Sequence, residues 1–240
     1  MDIKYITVVN DFIRLNTALL QSPGINKDNI IIIDNTLDNR TISYRYNSVI
    51  NELLKDPNPE WLVFCHQDFR FNEDILPRLL YLDKNYIYGP IGISSNSNIL
   101  LGRIIQTNNK PIGIICNECD VDTIDAMCMI VNKDIIREYN LSFDENFRFH
   151  FYVEDFCLQA REKDIKTKTL QMNCQHMSRA LRGDINSLEF HESRNILIKK
   201  WGSVRTTTGT YTYIPQMTNV AIASIIILSS YIIYKEYHNK

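Results

Sequence analysis

Short, uninterrupted apolar runs alternate with stretches of helical periodicity over the first ninety residues of the chain. The runs show no polar alternation, which is typical of strands buried on both faces of a parallel sheet. The stretches between them carry apolar residues at three- and four-residue spacing. The predicted strands are Lys4–Val9, Ile30–Ile33 and Trp61–Cys65, and the predicted helices are Phe12–Leu20, Tyr46–Leu54 and Asn72–Leu82. This alternation predicts an α/β domain with a mixed, mostly parallel sheet flanked by helices.

Beyond residue 86 the pattern is looser, with turn-rich stretches and an aromatic-rich loop at 142–151. The predicted elements are a buried strand at Asp125–Val131, a helix at Glu154–Lys163, a short strand at Leu170–Met172 and a helix at Asn186–Trp201. We expect one domain over residues 1–205 and a C-terminal extension over residues 206–240.

Polar side chains follow each of the first three predicted strands. In parallel α/β sheets, ligands bind outside the carboxyl ends of the strands. Any one of these side chains is also what a turn or a helix cap would carry. Taken together they indicate a nucleotide or metal site. The residues are Asn10 and Asp11, Asp34 and Asn35, and His66, Gln67 and Asp68.

Two of these stretches offer ligands for a cation or a diphosphate. Asp68 lies just past a buried strand, where a carboxylate can hold a hard divalent cation. His176 also follows a predicted strand, with Arg179 and Arg182 just beyond it. An imidazole can ligate a metal, and guanidinium groups can clamp phosphate oxygens.

Glu154 and Asp155 stand side by side at a predicted helix start, framed by aromatic residues. The helix N-terminus favours the carboxylate form, while apolar neighbours raise the pKa of a carboxyl group toward a value useful to a general base. Acidic residues are also common in the first turn of any helix. The pair is therefore a candidate acid–base site.

The order of these parts resembles the family 2-type nucleotide-sugar glycosyltransferases with the GT-A (Rossmann-like) fold. The segments that carry the resemblance are Lys4–Asn10, Ile30–Asn35, Tyr46–Leu54, WLVFCHQDF at 61–69, FDENFRFHFYVEDFCLQAR at 143–161, and His176-Met177-Ser178. It covers roughly residues 3–202 and is closest to a bacterial branch whose metal motif reads His-Gln-Asp instead of Asp-x-Asp. His66 thus occupies the position at which most relatives have an aspartate.

The resemblance implies an inverting, metal-dependent transfer of a sugar from a nucleoside-diphosphate donor to a hydroxyl group of a glycan, glycolipid or protein, in the synthesis of surface polysaccharide or glycoconjugates. It implies Mn²⁺ or Mg²⁺ at Asp68 and His176, and Asp155 as the general base with Glu154 positioning it or sharing its role. Donor binding is implied for Asn10, Asp11, Asp34, His66, Arg179 and Arg182.

Composition narrows the remaining classes of function. The 240 residues include 26 Lys and Arg against 28 Asp and Glu, a formal net charge of −2, which argues against a nucleic-acid partner. With 45% hydrophobic and 22% charged residues, the chain is not intrinsically disordered. No glycine lies near the first strand, which disfavours a nucleotidyltransferase with a Gly-rich phosphate loop.

The six cysteines and the start of the chain indicate a cytoplasmic protein. The first residues do not form a signal peptide, and reduced thiols are therefore expected. Cys116 and Cys119 form a lone CxxC pair, whereas zinc needs two such pairs or added histidines.

A charge-free stretch of 18 residues, Met217–Tyr234, lies in the C-terminal extension. As a helix it would be about 27 Å long, at the lower edge of the length that spans a bilayer. The sequence leaves a membrane anchor and a docking helix equally open. We expect the catalytic domain in the cytoplasm, at the inner face of the plasma membrane if this stretch anchors it. An alternative is a membrane-tethered nucleotide-sugar or glycan-binding protein without catalysis.

Overall fold

A seven-stranded sheet forms the centre of the computed structural model, which describes residues 2–178 and 185–212. The strands are β1 (Ile3–Val9), β2 (Ile30–Asp34), β3 (Trp61–Cys65), β4 (Phe69–Phe71), β5 (Ile87–Gly89), β6 (Ile91–Ile93), β7 (Leu101–Gly102), β8 (Ile104–Gln106), β9 (Lys110–Ile112), β10 (Asp120–Val121), β11 (Thr123–Ile124), β12 (Cys128–Asn132), β13 (Thr167–Thr169), β14 (Cys174–His176), β15 (Ser203–Thr206) and β16 (Gly209–Thr212). The helices are α1 (Phe12–Thr17), α2 (Ile42–Leu53), α3 (Leu76–Leu79), α4 (Lys133–Glu138), α5 (Tyr152–Arg161) and α6 (Leu188–Trp201), with 3₁₀ turns at Leu19–Gln21 and Thr107–Asn109.

The central sheet is mixed and mostly parallel, as the sequence predicts. Its strand order is β10-β13-β5-β12-β3-β1-β2. Strands β2, β1, β3, β5 and β13 run in one direction, while β12 and β10 run against them. The carboxyl ends of β1, β2 and β3 therefore meet at one edge of the sheet.

Strand β3 is buried on both faces, and its side chains divide between two apolar cores. Leu62 and Phe64 belong to the core formed with α2, α4, α5 and α6. Trp61, Val63 and Cys65 belong to the core on the opposite face. A strand covered on both sides needs no polar alternation, which explains why this segment reads as a continuous apolar run.

A second, four-stranded sheet with the order β4-β14-β8-β9 lies next to the end of β3. Strand β14 pairs antiparallel with β4, so that His176 is the register partner of Phe69. On its other side β14 runs parallel to β8, where His176 faces Gln106. A residue more than a hundred positions downstream of β3 is thereby placed next to the turn that follows it.

Several element boundaries differ from the predicted ones. The helix predicted over Asn72–Leu82 is only Leu76–Leu79, because Asn72 donates its backbone N–H to Asn173 and Glu73 accepts a hydrogen bond from the Asn173 backbone. These bonds tie residues 72 and 73 to the segment before β14. The strand predicted at 170–172 lies three residues earlier, at β13.

The described chain continues past the predicted domain boundary at 205–206. That boundary falls inside the hairpin formed by β15 and β16, in which Arg205 pairs with Thr210. Arg205 also donates a hydrogen bond to the Ser97 carbonyl at 2.6 Å. The hairpin is thus attached to the same unit. Residues 217–234 lie outside the described residues. Within the described ranges, no helix has both the length and the apolar character needed to cross a bilayer.

The cysteines match the expected thiols only in part. Cys116 and Cys119 are joined by a disulfide, contrary to the expectation of reduced thiols there. The other four, Cys65, Cys128, Cys157 and Cys174, are free and buried.

Two glycines allow the segment after β9 to approach β7 closely. Gly113 has a φ of +79°, and a Cβ atom added to it would lie 2.2 Å from the Gly102 carbonyl oxygen. Gly102 itself has a φ of +80°, and its Cβ would lie 2.2 Å from the Pro90 carbonyl oxygen. Both obstacles are backbone atoms, so neither contact can relax by a side-chain rotation.

We predict that Gly113→Ala lowers the free energy of unfolding by roughly 2 kcal/mol or more. The alanine Cβ would clash with the Gly102 carbonyl oxygen, and a non-glycine residue would be strained at this positive φ. Gly209→Ala is the matched control, because the atoms nearest its Cβ belong to the Tyr211 side chain, with the hydroxyl at 3.1 Å. Chemical denaturation measures both. Equal stability of the two variants would contradict the close approach.

Candidate functional site

A cleft of about 1040 Å³ opens at the carboxyl ends of β1, β2 and β3. Residues that follow these three strands line it, as the sequence analysis predicts for this edge of a parallel sheet. The loop before α5, the start of α6 and the tip of the β15–β16 hairpin close its other sides. The volume is large enough for a ligand of nucleotide size.

The Gln67 side chain joins the ends of β1 and β3. Its Oε1 atom accepts hydrogen bonds from the backbone N–H groups of Asn10 and Asp11, at 3.1 and 2.9 Å. Its Nε2 atom donates to Asn10 Oδ1 at 2.6 Å. Asp11 caps α1 through bonds from Ile13 and Arg14, so it is occupied at the helix start and does not line the cleft.

His66, Asp68 and His176 bring one ligand atom each to within 4.8 Å of one another. His176 Nε2 lies 3.3 Å from Asp68 Oδ1, and His66 Nε2 lies 3.1 Å from the Tyr152 hydroxyl. The Asp68 carbonyl also accepts a bond from the Met177 N–H at 2.8 Å, which fixes β14 against the turn after β3. Two imidazoles and a carboxylate form a donor set suited to Mn²⁺, whereas Mg²⁺ prefers oxygen ligands.

Charges around this cluster keep Asp68 ionised. Burial raises the pKa of Asp68, but the hydrogen bond from His176 and the nearby positive charges outweigh it and bring the pKa to about 2. For His176, burial lowers the pKa, and the bond to Asp68 more than compensates, so the net shift is upward. Arg14 Nη1 lies 3.8 Å from Asp68 Oδ2 and adds a further positive charge.

The loop after β2 forms another wall of the cleft, and Asn35 holds its shape. Asn35 exchanges two hydrogen bonds with the Arg40 backbone and accepts a third from Arg45 Nε. Asn35 lines the cleft, but the predicted Asp34 does not. Asp34 is exposed and accepts bonds from Thr36, because successive residues of a strand point to opposite faces.

Glu154 faces the cleft from the first turn of α5. Its side chain is 4% exposed, and its Oε2 atom has no hydrogen-bond partner among the described residues. Burial, with the Asp125 charge as the next contribution, raises the pKa of Glu154 to about 8. Phe151, which caps α5 with a φ of +66°, sets the orientation of this turn.

Asp155 points away from the cleft into a buried clamp between α5 and α6. Its carboxylate accepts hydrogen bonds from Trp201 Nε1 at 2.7 Å and Gln159 Nε2 at 2.6 Å, and it lies 2.9 Å from Lys200 Nζ. Burial disfavours the charged form of Lys200, but its bonds to Asp155 and Asp144 prevail and raise its pKa. Asp155 is 0% exposed and is not among the residues that line the cleft.

The predicted site residues thus separate into three groups. Those that line one cleft are Asn10, His66, Asp68, Glu154 and His176. Those that the structure places away from its walls are Asp11, Asp34 and Asp155. Arg179 and Arg182 lie outside the described residues.

The sequence alone does not identify several other residues that line the cleft. Asp125 lines the cleft near Glu154 and accepts a hydrogen bond from Thr207 Oγ1 at 2.7 Å, which ties the tip of the β15–β16 hairpin to it. The sequence places Asp125 only at a strand start, and Thr207 lies 82 residues downstream. Arg14 carries a weak signal, since it lies one helical turn after the polar end of β1.

Comparison with known proteins shows similarity in fold only. No family model matches the sequence, and no curated protein matches it. Among solved structures, GalNAc-T7 with UDP, GalNAc and Mn²⁺ superposes with a TM-score of 0.58 at 7% identity, over 84% of this chain and 48% of that one. TarS 1–349 from S. aureus gives 0.52 at 10% identity, over 83% and 65% of the two chains. TarS 1–349 in complex with UDP gives 0.53 at 10% identity, over the same shares.

The chain therefore spans less than two thirds of the length of these proteins. They are glycosyltransferases, and the shared architecture confirms the expected α/β fold of the GT-A type. At identities of 10% or less, the likeness does not extend to named residues.

We predict that Asp155→Asn lowers the free energy of unfolding by about 1–3 kcal/mol, because it removes the buried carboxylate that pairs with the Lys200 ammonium and the Trp201 indole N–H. Asp144→Asn is the control. It alters the more exposed partner of Lys200 and is expected to cost about 1 kcal/mol or less. Urea denaturation distinguishes them, and similar losses for the two variants would contradict the clamp.

We predict a pH-dependent stability difference between wild type and Glu154→Gln. The pKa of Glu154 rises from 4.5 to about 8 on folding, so its contribution to stability is present below pH 4.5 and is lost as the pH rises toward 8. Each unit of pKa difference corresponds to about 1.4 kcal/mol. Wild type should therefore lose stability relative to the glutamine variant between these limits in EDTA. Parallel pH profiles of the two proteins would contradict the raised pKa of this buried carboxyl.

Proposed function

We propose that the chain is a metal-dependent glycosyltransferase that moves a sugar from a nucleoside-diphosphate donor to an acceptor hydroxyl group. The observation that carries this proposal is the presence, in one cleft, of the His66–Asp68–His176 cluster and the buried carboxyl of Glu154, whose Oε2 atom has no hydrogen-bond partner among the described residues. The fold, shared with glycosyltransferases, supports it. The acceptor belongs to surface polysaccharide or glycoconjugate synthesis.

The cation in this proposal is Mn²⁺, held by His66, Asp68 and His176. When bound, it supplies positive charge that stabilises the leaving nucleoside diphosphate. Only one of the three protein ligands is anionic, so the donor's phosphate oxygens complete the charge balance. His66 is oriented by Tyr152 and stacks on Phe149 with ring centroids 6.0 Å apart, which holds its ring in place.

The nucleoside side of the cleft is formed by Asn10 and by the loop that Asn35 stabilises. Asn10 is held by Gln67, and Asn39 and Arg40 line the wall next to Asn35. Their amide and guanidinium groups can bond a base, a ribose or a phosphate.

Glu154 is the general base of the proposed reaction, in place of Asp155. As the acceptor oxygen attacks the anomeric carbon, its proton passes to Glu154, and the bond from the sugar to the diphosphate breaks. A single displacement of this kind inverts the anomeric configuration. Both oxygens of Asp155 are taken up by Trp201, Gln159 and Lys200, so it acts by fixing α5 against α6.

We predict that the chain hydrolyses nucleotide sugars with Mn²⁺ and not with EDTA, in a mass-spectrometric screen that needs no known acceptor. Asp68→Ala should reduce turnover by about 100-fold or more, through loss of the cation. Glu154→Gln should reduce it by roughly 10²–10⁴-fold while nucleotide binding in calorimetry is retained. The rate should rise with pH up to about 8, where Glu154 loses its proton.

Asp34→Asn is the matched control, since this carboxylate lies outside the cleft. Full activity of either cleft variant would overturn the assigned roles. Nucleotide binding without turnover on any donor would instead support a binding protein without catalysis.

A further inference from the structure

Five aliphatic side chains line one part of the cleft. They are Ile91, Leu100, Ile104, Ile112 and Met127, which we call the aliphatic wall. Three of them, Ile91, Ile104 and Met127, also belong to the apolar core behind the wall. Leu100 and Ile112 are only half-buried and pack against that core.

The aliphatic wall begins next to the proposed cation site. The Met127 carbonyl accepts a hydrogen bond from the His66 N–H at 3.0 Å. On the other side, Gln106 is the register partner of His176 and lies two residues from Ile104 on the same face of β8. A ligand on this wall therefore reaches the region where the proposed chemistry takes place.

The wall also continues outward to the protein surface. Ile114 donates its backbone N–H to the Leu100 carbonyl at 3.0 Å, and Ile99 precedes Leu100 in the chain. Ile99, Ile114 and Ile115 are 53%, 52% and 64% exposed. The core accounts for the inner members of the wall, but it does not account for three exposed isoleucines at its outer end.

The backbone holds this apolar path in a fixed shape. Ile104 and Ile112 are direct partners across β8 and β9, and the two close-approach glycines, Gly102 and Gly113, fix the segments that follow. Lys110, the register partner of Gln106, is exposed and forms no salt bridge within the described residues.

 The exposed positive charge of Lys110 therefore lies beside Gln106, toward the inner end of the path, while the outer end is apolar.

These features differ from those of a wall that binds a glycan. A sugar is recognised by hydrogen-bonding groups and aromatic faces, and the five side chains of the aliphatic wall offer neither. A hydrocarbon chain gains free energy from such a wall through the area that it removes from water. An anionic group at the head of that chain would be attracted by Lys110.

We propose that the acceptor is lipid-linked and that its hydrocarbon chain lies along the aliphatic wall, between the cation site and Ile114. This inference rests on the proposed function, whose acceptor class it specifies. The hydroxyl that receives the sugar stands at the inner end of the wall, and the chain leaves the cleft past Ile99, Ile114 and Ile115.

The test is calorimetry of the full chain with Mn²⁺ and UDP, using n-alkyl β-D-glucosides of six, eight and ten carbons below their micelle concentrations. Affinity should increase by up to about fourfold for each added methylene group, the value for complete burial. Ile112→Ser and Ile114→Ser should weaken this dependence on chain length. Ile32→Ser is the matched control, because Ile32 is 40% exposed on β2 and does not line the cleft.

Because the measurement needs no turnover, it separates the two proposals. Affinity that is independent of chain length, in a protein that still hydrolyses its donor, overturns the lipid-linked acceptor and leaves the proposed function standing. A chain-length dependence without any donor hydrolysis supports an apolar ligand but overturns the transferase.

Two other occupants of the wall would also overturn the inference. If residues 217–234 of this chain cover it, wild type binds no alkyl glucoside, and Ile114→Ser accelerates hydrogen exchange in that segment. If a second copy covers it, wild type sediments as a dimer and Ile114→Ser as a monomer.

Discussion

Strand β3 is covered by apolar side chains on both faces, and this constraint determines where polar chemistry can lie. No polar side chain is tolerated along Trp61–Cys65, so the first polar residues appear where the strand leaves the core. These are His66, Gln67 and Asp68, at the edge where β1 and β2 also end. The position of the cleft follows from the burial of the strand beside it.

The two carboxyl groups at the start of α5 show how neighbouring residues acquire opposite roles. Glu154 and Asp155 are adjacent in sequence, but a helix separates successive side chains by about 100°. Glu154 lies at the cleft with its Oε2 atom unpaired among the described residues, whereas Asp155 contacts Trp201 and Lys200 from α6. Burial and the nearby Asp125 charge raise the pKa of Glu154 to about 8. The hydrogen bonds from Trp201 and Gln159 hold Asp155 in a structural role.

The sequence predicts the alternation of strands and helices and the polar strand ends, because both arise from local patterns. It does not separate Glu154 from Asp155, since that choice depends on Trp201, 46 residues away. It also predicts Asp34 as a site residue, whereas the structure places the next residue, Asn35, in the lining of the cleft. The second sheet is made of three-residue strands, which are too short for a periodicity to be visible, so the approach of Gln106 to the cleft has no sequence signal. Asp125 and Thr207 lie between strands, where the sequence gives no periodicity either.

The Gln67 amide stands between His66 and Asp68 in the chain, and it joins β1 to β3 through three hydrogen bonds. An amide neither gains nor loses a proton in the range where histidines and carboxyl groups titrate. The frame that positions the cluster therefore keeps the same bonds while the groups attached to it change charge. Under the proposed function, acidification would empty the proposed cation site without loosening the strand ends that define it.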